Sequence, residues 1–141
     1  MLFRSLNIIG TINSDHWLSL GINASVYSGS PYTETTGTDD FHTGLGNARP
    51  AGIGRNTLQA KATADLDLQW EHEFNLTKAK DKDAKVISIG VSSFNVFNHT
   101  NYGGYIGSIN SIDPVTHASR FMQPTSAQAG RQMQFSVGYR F

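Results

Sequence analysis

The sequence predicts an all-β chain, an antiparallel meander of about five strands, each of the length that crosses a bilayer at a tilt. Three observations lead there. Apolar and polar residues alternate with period two in several separate stretches, whereas no i, i+3, i+4 stripe persists anywhere. β-Branched residues and Gly are frequent in those stretches, which disfavours helix. The segments between them run short, long, short, long.

The first strand, about Leu6 to Ile12, has the least regular alternation, and Asn13-Ser14-Asp15-His16 follows as a tight polar turn. The second covers Trp17 to about Tyr27. Leu18, Leu20, Ile22, Ala24 and Val26 share one face, and Ser19, Gly21, Asn23 and Ser25 share the other. A long connector, about 37–60, is broken by Gly37, Gly44, Gly46, Gly52 and Gly54. The third strand, about Lys61 to Phe74, sets Ala62, Ala64, Leu66, Leu68, Trp70 and Phe74 against Lys61, Thr63, Asp65, Asp67, Gln69, Glu71 and Glu73. Thr77 to Lys85 is a short turn rich in Lys and Asp. The fourth strand begins near Val86, with Ile87, Ile89 and Val91 opposing Ser88, Gly90 and Ser92. A second long connector spans about 98–130.

The last strand is the most regular. Met133, Phe135, Val137, Tyr139 and Phe141 occupy one parity, and Gln132, Gln134, Ser136, Gly138 and Arg140 the other. A strand of a soluble sandwich would alternate equally well. A soluble domain has less reason to finish on an aromatic residue with no polar tail. Outer-membrane barrels have short periplasmic turns and long extracellular loops. With the C-terminus on the periplasmic side, five strands require the connector order found. That topology gathers Trp70, Phe74, Tyr139 and Phe141 near the periplasmic rim, where an aromatic girdle is expected, with Trp17 at the same height on the opposite parity.

Composition narrows the function classes. Charged residues are 16% of the 141, against roughly 25% in ordinary domains, and the net charge is zero, so nucleic-acid binding has no electrostatic support. The chain has no cysteine, hence neither a disulfide framework nor a thiolate metal site. No apolar run reaches the ~18 residues of a membrane helix. The slightly polar mean hydropathy does not speak against barrel strands, whose alternation averages out. No apolar signal segment follows Met1-Leu2-Phe3-Arg4, because Ser5, Asn7, Gly10, Thr11 and Asn13 interrupt it.

Four stretches resemble the C-terminal barrel region of TonB-dependent receptors, particularly the Oar-like group. They are Tyr27-Ser28-Gly29-Ser30-Pro31-Tyr32-Thr33, Asn47-Ala48-Arg49-Pro50-Ala51-Gly52-Ile53-Gly54-Arg55-Asn56, Ser93-Phe94-Asn95-Val96-Phe97-Asn98-His99-Thr100-Asn101-Tyr102, and the terminal strand through Arg140-Phe141. Together they cover about residues 17–141. The resemblance implies a bacterial outer-membrane transporter with a barrel of about 22 strands, a plug in its lumen, and energy delivered through TonB. Further partners are outer-membrane lipid and an extracellular ligand captured by the long loops. Only about five strands are visible, an odd number that cannot close a useful barrel. The chain therefore reads as the C-terminal part of an outer-membrane β-barrel, with Met1 an internal or artefactual start. Two other readings stand beside it: a soluble β-rich binding or structural domain, and a subunit of an oligomeric barrel.

The candidate sites follow. Met133, Phe135, Val137, Tyr139 and Phe141 look like the signal by which the barrel-assembly machinery recognises its clients, through β-augmentation of an open strand edge. Asp39, Asp40, Arg49 and Arg55 are ligand-facing loop candidates, although Asp39-Asp40-Phe41-His42 lacks the alternating oxygen ligands of a calcium loop and reads better as a solvated one. Arg49 and Arg55 suit bracing the loop or touching its ligand. The histidines (His16, His42, His72, His99, His117) show no metal spacing, and Ser14-Asp15-His16 is a turn rather than a spatial relay. Asp65, Asp67, Glu71 and Glu73 form an acidic row that a polar lumen explains better than paired catalytic carboxylates. No enzyme activity or cofactor is expected.

Overall fold

The computed structural model describes residues 4–14, 19–77 and 85–141. Among them there is no helix, and the residues divide into two compact units. One is a sheet unit (Leu6–Val26, Ala64–His99, Ala129–Phe141). The other is a loop unit, which takes in Tyr27–Thr63 and Thr100–Gln128.

The sheet unit carries five antiparallel strands: β1 (Ser5–Asn13), β2 (Ser19–Tyr27), β5 (Thr63–Asn75), β6 (Val86–Phe94) and β7 (Gln132–Arg140). Between β2 and β5 lie two short strands of the loop unit, β3 (Pro31–Tyr32) and β4 (Leu58–Gln59). The sheet order β1-β2-β5-β6-β7 is a meander, open at β1 and β7 and not closed into a barrel. The five strands and the short-long-short-long connectors match the alternation read from the sequence. Residues 15–18, with Trp17, and residues 78–84 lie outside the described residues.

Register makes the alternation consequential. Trp70 pairs with Val91 and Val91 with Phe135; His72 pairs with Ile89 and Ile89 with Val137; Phe74 pairs with Ile87 and Ile87 with Tyr139. Apolar parity therefore meets apolar parity across three strands, which is the condition for one continuous apolar face. The opposite face pairs Gln69 with Ser92 and Gln134, and Glu71 with Gly90 and Ser136. On β2, Asn23 Nδ2 donates to Asp67 Oδ2 at 3.3 Å, so the polar parities of β2 and β5 also coincide. Small residues interlock along β6 and β7: a Cβ at Gly90 would come within 2.5 Å of Ser136 Oγ, its cross-strand partner. Arg140 reaches Glu73 at 3.9 Å, over the intervening strand. Both side chains are largely exposed, so the pair contributes at most about 1 kcal/mol.

Register also sets the heights of the aromatic residues expected at one rim. Phe74 and Tyr139 flank Ile87 at one end, and Tyr139 stacks on Phe141 at 5.8 Å. Trp70 lies level with Phe135 instead, farther along the strands. His72 takes the apolar parity, between the Trp70 ring at 6.2 Å and the Phe74 ring, met edge-on at 4.5 Å.

Within the sheet unit, the described residues build no core on either face. Among the described residues the buried apolar side chains are Ala48 in the loop unit and Val86 in the sheet. Phe135 is 72% exposed and Val137 78%.

A built turn closes the top of β6. Asn95 and Asn98 both hold positive φ, 48° and 52°, a region Asn tolerates better than most residues. Asn95 is buried; its amide N donates to Asp67 Oδ1 at 3.0 Å. Its Nδ2 donates to His99 O at 2.9 Å and Ala129 O at 3.4 Å, while its Oδ1 accepts from His99 N at 2.9 Å. Asn98 Oδ1 accepts from Arg131 N at 3.0 Å. The Phe-Asn-Val-Phe-Asn stretch thus ties β6 to β5 and to the approach to β7.

The loop unit is held by backbone pairing more than by apolar burial. β3 pairs antiparallel with β4, Pro31 opposite Gln59 and Tyr32 opposite Leu58. Gly29 has no alternative, because any Cβ there would overlap the Ala60 carbonyl. Residues 100–128 fold as a long hairpin, joined by Gly103 N to Ser126 O (2.8 Å), Thr125 N to Gly104 O (2.7 Å) and Met122 N to Ile106 O (2.9 Å). Thr35 links the two loops, donating from N to Gly107 O and accepting from Ile109 N, each at 2.9 Å.

Candidate functional site

The loop unit contains a cleft of about 330 Å³ where the end of β2, β3 and the residues just before β5 meet the 102–105 segment. Its lining includes Tyr27, Tyr32, Lys61, Tyr102, Tyr105 and Gln128. Local sequence explains why these side chains converge. Gly29 lets the chain after β2 run against Ala60, and Gly103-Gly104 separates Tyr102 from Tyr105. Tyr32 and Tyr105 stack with centroids 5.6 Å apart and planes 21° apart. The Tyr105 hydroxyl accepts from Lys61 N at 3.3 Å. The Lys61 ammonium sits 5.4 Å from the centre of the Tyr102 ring, within cation–π range. Burial, and secondarily the neighbouring Tyr105, push the Tyr32 phenol above its ordinary value, so it is a neutral donor at physiological pH. The cleft therefore offers flat aromatic faces, neutral hydroxyls and one cation.

The four ligand-facing candidates all fall in this unit, but none lines the cleft. Asp39 caps its own turn, its carboxylate accepting from Thr43 N and Gly44 N, both at 2.8 Å. Asp40 accepts from Thr38 Oγ1 at 2.6 Å and Thr36 Oγ1 at 3.1 Å. Arg49 Nη1 donates to Ile53 O at 3.3 Å, the bracing role its position in the turn suggests. Arg55 is exposed.

The loop carboxylates carry a pH dependence. Hydrogen bonds from Thr43 N and Gly44 N hold Asp39 below its ordinary pKa, and those from Thr116 N and Val115 N do the same for Asp113. A carboxyl depressed in the folded state stabilises it fully above the unfolded value and stops doing so as pH falls through the folded one. Protection of the Thr43, Gly44, Val115 and Thr116 amides, measured against their intrinsic exchange rates, should therefore fall below about pH 4, while that of Arg131, capped by the neutral Asn98 amide, should not. Uniform behaviour across these amides would remove the capping role.

Two members of the acidic row have structural partners: Asp67 accepts from Asn95 N and Asn23 Nδ2, and Glu73 faces Arg140. Asp65 Oδ1 is buried with no hydrogen-bond partner among the described residues. Among those residues no group of three His, Asp or Glu side chains is placed to hold a metal ion. Asp15 and His16 lie outside the described residues. Met133, Phe135, Val137, Tyr139 and Phe141 project from the last strand, all exposed, along the open β7 edge.

The cleft residues Tyr32, Lys61, Tyr102 and Tyr105 were not singled out by the sequence. The available signal was tyrosine recurring beside glycine, in Tyr27-Ser28-Gly29 and Tyr102-Gly103-Gly104-Tyr105. No family model, characterised protein or solved structure matches the chain.

Proposed function

We propose that the chain is the C-terminal, membrane-spanning part of an outer-membrane β-barrel transporter of the TonB-dependent kind, which imports an extracellular ligand. One observation carries this reading: a register-matched sheet face of apolar side chains, those of the last strand largely exposed. Each fully exposed Phe or Val forgoes roughly 1.5–3 kcal/mol relative to burial. Lipid supplies that burial for a whole face at once. Strands of nine residues extend about 30 Å. Tilted by roughly 40°, they cover roughly 23 Å of depth, close to the roughly 25 Å apolar band of a membrane barrel. Since hydrocarbon tolerates no unpaired edge, β1 and β7 pair with other strands of the barrel. The polar face then looks on the lumen and its plug, TonB energises the intact transporter, and the long connectors lie outside the cell as the ligand-capturing surface. The β7 edge, with its row of aromatic and aliphatic side chains, suits recognition by the barrel-assembly machinery through strand addition.

The absence of cysteine gives a clean background for the test. Single cysteines at positions 134, 135, 136 and 137 are exposed to a membrane-impermeant maleimide after insertion into outer-membrane lipid vesicles. Positions 134 and 136 should react, and 135 and 137 should be protected until detergent is added. Equal reactivity at all four defeats the membrane reading. The open edges also suit a barrel built from several copies of the chain; the mass of the particle in detergent separates one copy from several.

A further inference from the structure

We propose that the tyrosine-lined cleft of the loop unit is a binding site for an acidic saccharide, a sugar ring bearing a carboxylate. The inference goes beyond the transport reading, because it concerns the loop unit alone and holds whether or not the sheet enters a membrane.

Four properties of the lining select this class. Its volume of about 330 Å³ is at the small end of ligand sites, which run from roughly 300 to 1,000 Å³. Its walls are tyrosine rings, which present a flat apolar face and carry a hydroxyl at the rim. A pyranose matches that surface, with axial C–H groups against the ring and hydroxyls at its edge. Among the described residues of the lining Lys61 is the only charged one, so they favour an anion and give a cationic ligand no counter-charge. Its ammonium is held against the Tyr102 ring at the cleft wall, placed to make a charge-assisted bond to a carboxylate.

The remaining polar groups argue against a flat aromatic acid. Ser28, Ser30, Thr63 and Gln128 all contribute to the lining. A bound aromatic ring would strip water from these groups without replacing its hydrogen bonds, at about 1–3 kcal/mol for each group left unpaired. A sugar's hydroxyls replace them. The Tyr32–Tyr105 stack is fixed by the β3–β4 pairing on one side and by Tyr105 opposite Pro124 on the other, so the site is organised before a ligand arrives.

The test uses the full chain in detergent micelles and three probes: methyl β-glucuronide, methyl β-glucoside, which differs by the carboxylate alone, and benzoate. Binding is followed by saturation-transfer NMR and calorimetry up to about 10 mM, the range expected of a single sugar unit. The glucuronide should bind at least about tenfold tighter than the glucoside. Lys61→Gln, at an exposed position, should abolish that margin while leaving weak binding of both glycosides. Tyr32→Leu should weaken both together. Absence of glucuronide binding to the wild-type chain, equal affinity for the two glycosides, tighter binding of benzoate, or a margin that survives Lys61→Gln would each overturn the assignment. Maleimide protection at 135 and 137 reports on membrane insertion independently, so failure of either reading is visible without the other.

Discussion

Val137→Arg is expected to destabilise the lipid-inserted protein by about 2–4 kcal/mol, and Gln134→Arg by less than about 1 kcal/mol. The two positions lie on the same strand, three residues apart and on opposite parities. Val137 faces Ile89 in register, in the middle of the apolar face, and is 78% exposed. If lipid covers that face, a guanidinium there must snorkel, thin the bilayer or remain in hydrocarbon, and each is costly. Gln134 pairs with Ser92 on the polar face, where an added cation meets water and lies on the same face as the acidic side chains of β5. Equilibrium unfolding in urea from lipid vesicles measures both. Without lipid the contrast should disappear, since an arginine replacing an exposed valine in water costs little. Similar costs for the two substitutions in vesicles would sink the face assignment, and a large cost for Val137→Arg in aqueous buffer would point to a protein partner instead.

That contrast rests on the part of the fold most visible in the sequence. Strands β2, β5, β6 and β7 declare themselves because one face is apolar along most of its length, and period two records this directly. The exceptions are less visible. His72 takes an apolar-face position, where rings on either side accept it, and Phe94 takes a polar-face one at the end of β6. Neither position is decided by its neighbours in sequence.

The loop unit was legible only as punctuation. Glycines at 37, 44, 46, 52 and 54 mark breaks in the chain, but Pro31–Tyr32 finds Leu58–Gln59 across a gap no local pattern encodes. The cleft is assembled from four separate stretches by backbone hydrogen bonds, which every residue can accept and every residue but proline can donate, so composition carries no record of it. Charge attracted attention to Asp39 and Asp40, yet both carboxylates are engaged by their own turn. The cation of the cleft, Lys61, stood in an alternating run where it looked like one more polar-face residue.

Asn95→Ala should cost about 2–4 kcal/mol, a large effect for a polar residue outside any apolar core. Two separable contributions give that figure. Removing the amide leaves His99 O, Ala129 O and His99 N without the partners they have in the native turn. Residues His99 and Ala129 are exposed, so water recovers much of the loss and the three bonds together contribute about 1–2 kcal/mol. Alanine must also hold φ near 48°, a left-handed conformation that costs most side chains about 1–2 kcal/mol and that Asn accepts more readily. Asn95→Gly separates the two: it loses the same side-chain bonds but adopts positive φ freely, so it should be milder than alanine by about 1 kcal/mol. Asn95→Asp tests the bonding in another way. It keeps an acceptor for His99 N, loses the donor to both carbonyls, and sets a second carboxylate beside Asp67, whose Oδ1 is bonded to the residue 95 amide. Its cost should therefore grow as pH rises through the carboxylate range, because two like charges at close quarters disfavour ionisation. Unfolding titrations of the three variants at pH 4 and pH 7 provide the measurement. If Asn95→Ala fell within about 0.5 kcal/mol of wild type, the turn would be a passive connector, and the tie between β5, β6 and β7 would have to reside in the strand pairing alone.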